Sequence, residues 1–343
     1  MRMFRNDYSE GAAPQILQAL IDSNAEQCVG YTEGDPHCEH ARELIRNACG
    51  RDDVDVEFCI GGTSANIVGV TGLLRDWEGV ICTPDAHINA HETGAIAACG
   101  RTVLPTRDTD GFVSVEEAER VWRVQTSTGR HMTLPAAIYI SNTTELGGVW
   151  TAQRFDALCD WADDHNLPVY VDGARLGSAL TSEENDLSLA HIAQRASAFT
   201  IGGTKCGLLF GEAMVIAHPR LKESFGYLIK ERGGLMAKGR LLGVQFETAF
   251  SGGLYWKLAQ HANQCACALR DALVSIGLKP YGSSSSNQQF FVMDNAMAEK
   301  VEEALGCERW LELDDKHRVM RFVCSWATTM ADVTEAVSYI ASL

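Results

Sequence analysis

The chain has 343 residues, 46% of them hydrophobic and 22% charged, enough for one large core and a smaller lobe in an ordinary globular protein. Its formal net charge of −16 argues against nucleic acid, whose phosphates need Lys and Arg, and against an anionic membrane surface. No apolar run approaches the length of a membrane span, and Met1–Glu10 lacks the apolar stretch of a secretory signal.

In chain order, the first chemically dense segment is His37-Cys38-Glu39-His40. Neighbouring helical residues point in different directions, so these four cannot jointly grip one ion, and no metal is expected. From about residue 40 to 220, short β-rich apolar runs alternate with helical patterns. Val56–Ile60, Val80–Thr83, Ala136–Ser141, Val169–Val171, Ala198–Ile201 and Ala213–Ile216 are predicted strands; Gln153–His165 and Ser188–Ala196 are predicted helices. This alternation predicts an α/β layer with a largely parallel sheet.

A long helix is predicted from Leu254, Leu258, Ala262, Cys265, Leu269, Leu273 and Ile276, ended by Gly277. Gly282 and the run Ser283–Ser286 predict a flexible loop. Strand Gln289–Met293, helix Ala296–Leu305, strand Val319–Ser325 and a final helix after Met330 then predict a small α+β lobe. The expected division is 1–245 and 246–343, with the N-terminal segment packing across both. The twelve cysteines are scattered through apolar stretches with no CxxC pair, which predicts reduced, buried thiols in a cytoplasmic protein.

Four segments carry chemistry. Cys59-Ile60-Gly61-Gly62-Thr63-Ser64-Ala65-Asn66 follows a strand and opens a helix. Its glycines let backbone approach an anion, the helix start supplies N–H groups, and Thr63 and Ser64 add hydroxyls; the combination suits a phosphate, though a plain strand–helix turn reads the same way. In Asp85-Ala86-His87-Ile88-Asn89-Ala90-His91-Glu92-Thr93-Gly94-Ala95, the His87 imidazole can stack on a pyridine ring or move protons near neutral pH; the ordinary alternative is a capping or core histidine. In Val169-Tyr170-Val171-Asp172-Gly173-Ala174-Arg175 an apolar strand ends in a carboxylate, where open α/β sheets bind ligands; an Asp there can hold a protonated pyridine nitrogen, or simply cap a turn. In Phe199-Thr200-Ile201-Gly202-Gly203-Thr204-Lys205 a second strand ends in a lysine that can form an imine if its pKa is lowered. Asp172 and Lys205 end strands one helical unit apart, and that joint placement is the informative feature.

Together these segments resemble the threonine aldolase group of the β-eliminating lyase family over nearly the whole chain. The most specific part is Asp172-Gly173-Ala174-Arg175 with Lys205 about thirty residues later. The resemblance implies an α/β, fold-type I (aminotransferase-like) large domain that binds pyridoxal 5'-phosphate, plus a small α+β domain. It implies Lys205 as the Schiff-base lysine, Asp172 on the pyridine nitrogen and His87 stacked on the ring. Gly62, Thr63 and Ser64 would hold the phosphate, with Thr204 beside Lys205. Arg175 and Arg321 would grip the substrate carboxylate, with Asn6 of the Arg5-Asn6-Asp7 opening nearby. Two positions depart from the better-known aldolases: Thr144 replaces a second active-site histidine, and Ala237 replaces an arginine that reaches a neighbouring subunit's phosphate, a place Lys238 can fill. The segment from Lys230 to Arg240 resembles the phenylserine-aldolase-like branch.

The implied activity is cleavage of L-β-hydroxy-α-amino acids to glycine and an aldehyde, with Lys205 and His87 catalytic, in a homodimer or homotetramer with shared sites. β-Elimination from an aromatic or thiol-bearing amino acid is the alternative on the same cofactor. A non-catalytic binding protein on this fold is a third reading, against which the joint presence of Asp172, Arg175, Lys205 and Arg321 argues.

Overall fold

The computed structural model describes residues 3–343. Seven strands form the main sheet: β1 (Asp55–Cys59), β2 (Glu78–Cys82), β3 (Thr102–Pro105), β4 (Leu134–Ser141), β5 (Val169–Asp172), β6 (Ala198–Gly202) and β7 (Glu212–Ile216). Their order is β1-β7-β6-β5-β4-β2-β3. The five strands from β6 to β3 pair in parallel, whereas β7 runs antiparallel to both β6 and β1.

Both faces of this sheet are covered, which is why its central strands read as continuous apolar runs. In β5, Val169 and Val171 enter one core and Tyr170 the other; in β4, Ile138 and Ile140 oppose Ala137 and Tyr139 in the same way. The helix Pro36–Cys49 packs on the first face through Ala41 and Ile45, and the helix Gly62–Leu73 on the second through Ala65, Val68 and Leu73.

Four further strands, β8 (Lys279–Pro280), β9 (Gln288–Asp294), β10 (Glu308–Glu312) and β11 (His317–Val323), form an antiparallel sheet in the order β10-β11-β9-β8. Its core joins Phe291, Met320 and Phe322 to Leu269 and Leu273 of the helix Leu254–Ser275 and to Val333 and Ile340 of the last helix. Gly277, in the left-handed region at φ 97°, follows that long helix. Residue 245 lies inside the helix Arg240–Phe250, which ends at the 3₁₀ turn Ser251–Gly253.

The N-terminal segment bonds β11 of the second sheet and the loop that follows β6 of the first. Phe4 N donates to Leu305 O and Phe4 O accepts from Val323 N, while Ala13 N donates to Gly207 O.

Three strands escape the sequence reading because they are edges or nearly so. β8 and β10 expose most of their residues and β3 half of its own, so they carry little burial alternation. The flexible loop expected at Ser283–Ser286 is a correction. Ser284, Ser285 and Ser286 are buried, and their hydroxyls bond Gly147 O, Ser182, Glu184 and Gln288 O. The cluster at His37–His40 serves packing contacts: His37 bridges Glu26 and Glu247 at 2.7 and 2.6 Å, and His40 joins Glu247 at 2.7 Å. All twelve cysteines are free thiols. No helix among the described residues is long and apolar enough to cross a membrane.

Candidate active site

The ends of β5 and β6 approach closely because glycine stands at both contact points. A Cβ on Gly173 would lie 2.0 Å from Thr200 O, and one on Gly202 would lie 2.1 Å from Ala174 O. Thr200 Oγ1 accepts from Gly173 N at 2.8 Å and locks this junction. Asp172, at the end of β5, and Lys205, just past β6, therefore enter one cavity of about 330 Å³. His87, Arg175, Thr204, Gly62 and Thr63 also line it.

Asp172 is buried and saturated with donors. Its Oδ2 accepts from Tyr139 OH at 2.5 Å and Asn66 Nδ2 at 2.9 Å, and its Oδ1 accepts from Ala174 N at 2.9 Å. Burial pushes its pKa up, but these donors and the nearby His87 outweigh burial and hold it below the ordinary value. A carboxylate whose ionised form is favoured, at the end of a parallel strand, suits a protonated ring nitrogen.

Glu92, also buried, ties this carboxylate to His87. Its Oε1 accepts from Asn66 Nδ2 at 2.8 Å and from His87 Nδ1 at 2.8 Å. Burial lowers the His87 pKa, but the bond to Glu92 and the charges of Glu145 and Asp172 more than reverse this, so the imidazole is biased towards its cation. Glu92 left no signal of its own in the sequence beyond its place in the histidine segment.

Lys205 makes no hydrogen bond or ion pair among the described residues. Burial and the Arg175 charge lower its pKa, against the opposing pull of Asp7, Glu145 and Asp172. A lowered pKa favours the neutral form that a nucleophilic amine needs. Beside it, Glu212 of β7 lines the cavity and accepts from Gly203 N at 2.9 Å. Burial, with Asp172 adding, pushes the Glu212 carboxyl up to about 8 despite Gly203 N–H and Lys205.

The turn at Gly61–Gly62 starts the helix Gly62–Leu73 with no side-chain cap, so the first N–H groups face the cavity without an internal partner. An open helix start, an unpaired amine and an ionised strand-end carboxylate in one cavity match the phosphate, aldehyde and pyridine nitrogen of pyridoxal phosphate, and the residues present fit that group.

The remaining expected residues are placed otherwise. Arg175 lines the cavity but is already paired: Nε and Nη2 donate to Asp7 Oδ2 and Oδ1 at 2.7 and 3.1 Å. Asn6 turns away from the cavity, its Oδ1 accepting from Tyr8 N and Ser9 Oγ; Asp7 is the inward residue of that segment, and Tyr8 lines the cavity. Arg321 lies outside the lining, bonded to Glu308 and to Gln288 Oε1 and stacked over Trp310 at 4.8 Å. Ser64 and Lys238 are outside it as well, and Lys238 is exposed. Thr204 Oγ1 accepts from Gly211 N at 3.0 Å, which shapes the turn leading to Lys205. Glu145 and Glu212 are lining residues that the sequence reading missed; no local motif marks either of them.

The profile of the beta-eliminating lyase family matches residues 4–298. A low specificity L-threonine aldolase of a Pseudomonas species is 27% identical over 99% of this chain and 97% of its own length. The structure of Leishmania major threonine aldolase superposes with a TM-score of 0.97 at 39% identity, covering 100% of this chain and 99% of that one. Aspartate aminotransferase of Thermus thermophilus, at 15% identity and a TM-score of 0.71 over 97% of this chain and 89% of its own, shares the fold.

Proposed function

The chain belongs to the beta-eliminating lyase family, and from that premise we propose that it cleaves L-β-hydroxy-α-amino acids of the threonine, allo-threonine and phenylserine type into glycine and an aldehyde. The observation that carries this reading is the unpaired Lys205 amine sharing one cavity with the ionised, donor-saturated Asp172. The names of the relatives, threonine aldolases over nearly their full length, support the substrate class.

Pyridoxal phosphate, when bound, supplies an electron sink for the pair released at Cα. Lys205 would hold its aldehyde carbon, Asp172 its ring nitrogen, and the Gly62-Thr63-Ser64 turn its phosphate, with His87 on the ring face and Thr204 setting the approach of Lys205. The Asn66–Glu92–His87 chain of hydrogen bonds fixes the imidazole relative to Asp172. Arg175 supplies the positive charge for the substrate carboxylate, with Arg321 close behind it; Asp7 orients the Arg175 guanidinium through two bonds. The reading includes the division into a large part, 1–245, and a small part, 246–343. It also includes a cytoplasmic homodimer or homotetramer in which Lys238, exposed on one subunit, serves its neighbour's phosphate.

Products decide the reaction. Incubation with threonine, allo-threonine and phenylserine is expected to give glycine with acetaldehyde or benzaldehyde; pyruvate and ammonia instead would mean β-elimination. Lys205→Ala is expected to lose the visible absorption of bound cofactor and all turnover, and a variant that still turns over overturns the assignment.

A further inference from the structure

Cleavage of a β-hydroxy amino acid needs a base for the hydroxyl proton, and most groups in the cavity are committed elsewhere. Asp172 already accepts three hydrogen bonds. Glu212 accepts from Gly203 N, and burial pushes its carboxyl up to about 8. His87, the base suggested by the sequence, has Nδ1 bound to Glu92, and that bond with the charges of Glu145 and Asp172 outweighs burial and raises its pKa. Lys205 would hold the cofactor's aldehyde carbon until the substrate's amino group takes its place.

Glu145 is not committed. It lines the cavity, is half-buried, and makes no hydrogen bond or ion pair among the described residues. It is close enough to act electrostatically on His87, Arg175 and Lys205, so its carboxylate faces the groups that surround the reacting carbons. Its position is fixed by backbone. Gly147 N donates to Thr144 O at 2.9 Å, Thr144 N to Gly148 O at 2.8 Å, and Gly148 N to Thr144 Oγ1 at 3.0 Å, closing a tight turn with Glu145 second in it. Gly147, at φ 76°, has Ser284 against its α-carbon, and Ser284 Oγ donates to Gly147 O at 3.1 Å. A carboxylate presented by a braced turn, without any internal partner, is arranged to meet a donor on a ligand.

We propose that Glu145 is the catalytic base that takes the proton of the substrate's β-hydroxyl group. The inference rests on the aldolase reading. The O–H bond breaks and its proton passes to a Glu145 carboxylate oxygen; the O–H electron pair becomes the second bond of the aldehyde carbonyl. The Cα–Cβ bond breaks with its pair left at Cα, which takes up one proton as glycine forms, so substrate atoms and charge balance.

The test separates this step from everything else the site does. Exchange of the glycine Cα proton with deuterated water, followed by NMR, uses the same cofactor, carboxylate clamp and Lys205 but no β-hydroxyl. Glu145→Gln is expected to lower kcat for threonine or phenylserine cleavage by ~10²–10⁴-fold while glycine exchange and the visible absorption of bound cofactor stay near wild type, with Glu145→Asp recovering part of the cleavage. Unchanged cleavage in Glu145→Gln overturns the proposal, as does equal loss of cleavage and exchange. A wild type that cleaves beside an equally active Glu145→Gln sinks only this inference; a wild type that releases no aldehyde sinks the proposed function with it.

Discussion

At the floor of the cavity the working groups stand at the ends of neighbouring strands, Asp172 on β5, Lys205 after β6 and Glu212 on β7, paired in one sheet. At the rim they arrive from distant parts of the chain: Asp7 meets Arg175 across 168 residues and Asn287 across 280, and Ser284 meets Gly147 across 137. The floor is short-range in space and dense in hydrogen bonds, so it sets charge states. The rim is assembled by tertiary contacts, so it sets which molecule is held and how it is oriented. If that division is right, floor substitutions change rates and titrations, and rim substitutions change fit and stability.

The largest effect is expected at the floor. Three donors converge on Asp172, and asparagine offers only one acceptor oxygen in its place, turning an amide NH₂ towards a donor. Asp172→Asn also removes the charge opposite the ring nitrogen. A fall of ~10²–10³-fold in kcat/KM for cleavage is expected, by analogy with loss of a single preorganised electrostatic contact. A variant within tenfold of wild type would break the distinction between floor and rim.

Glu212 gives a smaller, pH-dependent effect. Its folded pKa of about 8 lies above the ordinary 4.5, raised first by burial. The stability this group contributes is therefore fully present below pH 4.5 and is lost as pH rises towards 8, by at most ~1.4 kcal/mol per pH unit. Glutamine can still accept from Gly203 N but cannot ionise. The stability of Glu212→Gln relative to wild type, measured by urea denaturation of the cofactor-free protein, is expected to improve steadily from pH 5 to pH 8. A difference independent of pH would show that the carboxyl stays ionised throughout.

The contrast between floor and rim also explains what the sequence disclosed. Asp172 and Lys205 were legible because a strand followed by Asp-Gly or Gly-Gly-Thr-Lys is a local pattern, and the glycines that permit β5–β6 approach sit beside the functional residues. The turn at Gly62 was legible for the same reason. Glu212 was not: it occupies an apolar strand, and only the antiparallel insertion of β7 beside β6 brings it opposite Gly202. The resemblance points to Asn6, and nothing in an irregular segment, which has no period to read, marks Asp7 as its inward residue. The family resemblance supplies Arg321, but its partner Glu308 stands on an edge strand whose exposed residues carry no strand signal. The serine run was read as flexible because composition reports the absence of apolar side chains, and hydroxyls buried against backbone oxygens look the same.

That run supplies the smallest and most local test. Ser284 Oγ lies 2.6 Å from Gln288 O, 3.1 Å from Gly147 O and 3.0 Å from Ser286 Oγ, so one hydroxyl ties β9 to the turn that presents Glu145. Ser284→Ala removes a buried bond worth about 1 kcal/mol and leaves the two carbonyl oxygens short of one donor. The thermal midpoint is expected to fall by ~2–4 °C. Because the backbone bonds of the Thr144–Gly148 turn remain, kcat for cleavage is expected to change less than tenfold, and glycine exchange not at all. A larger loss of cleavage with exchange intact would mean that the serine run, and not the turn alone, holds Glu145 in place, and the rim would then govern the rate as directly as the floor does.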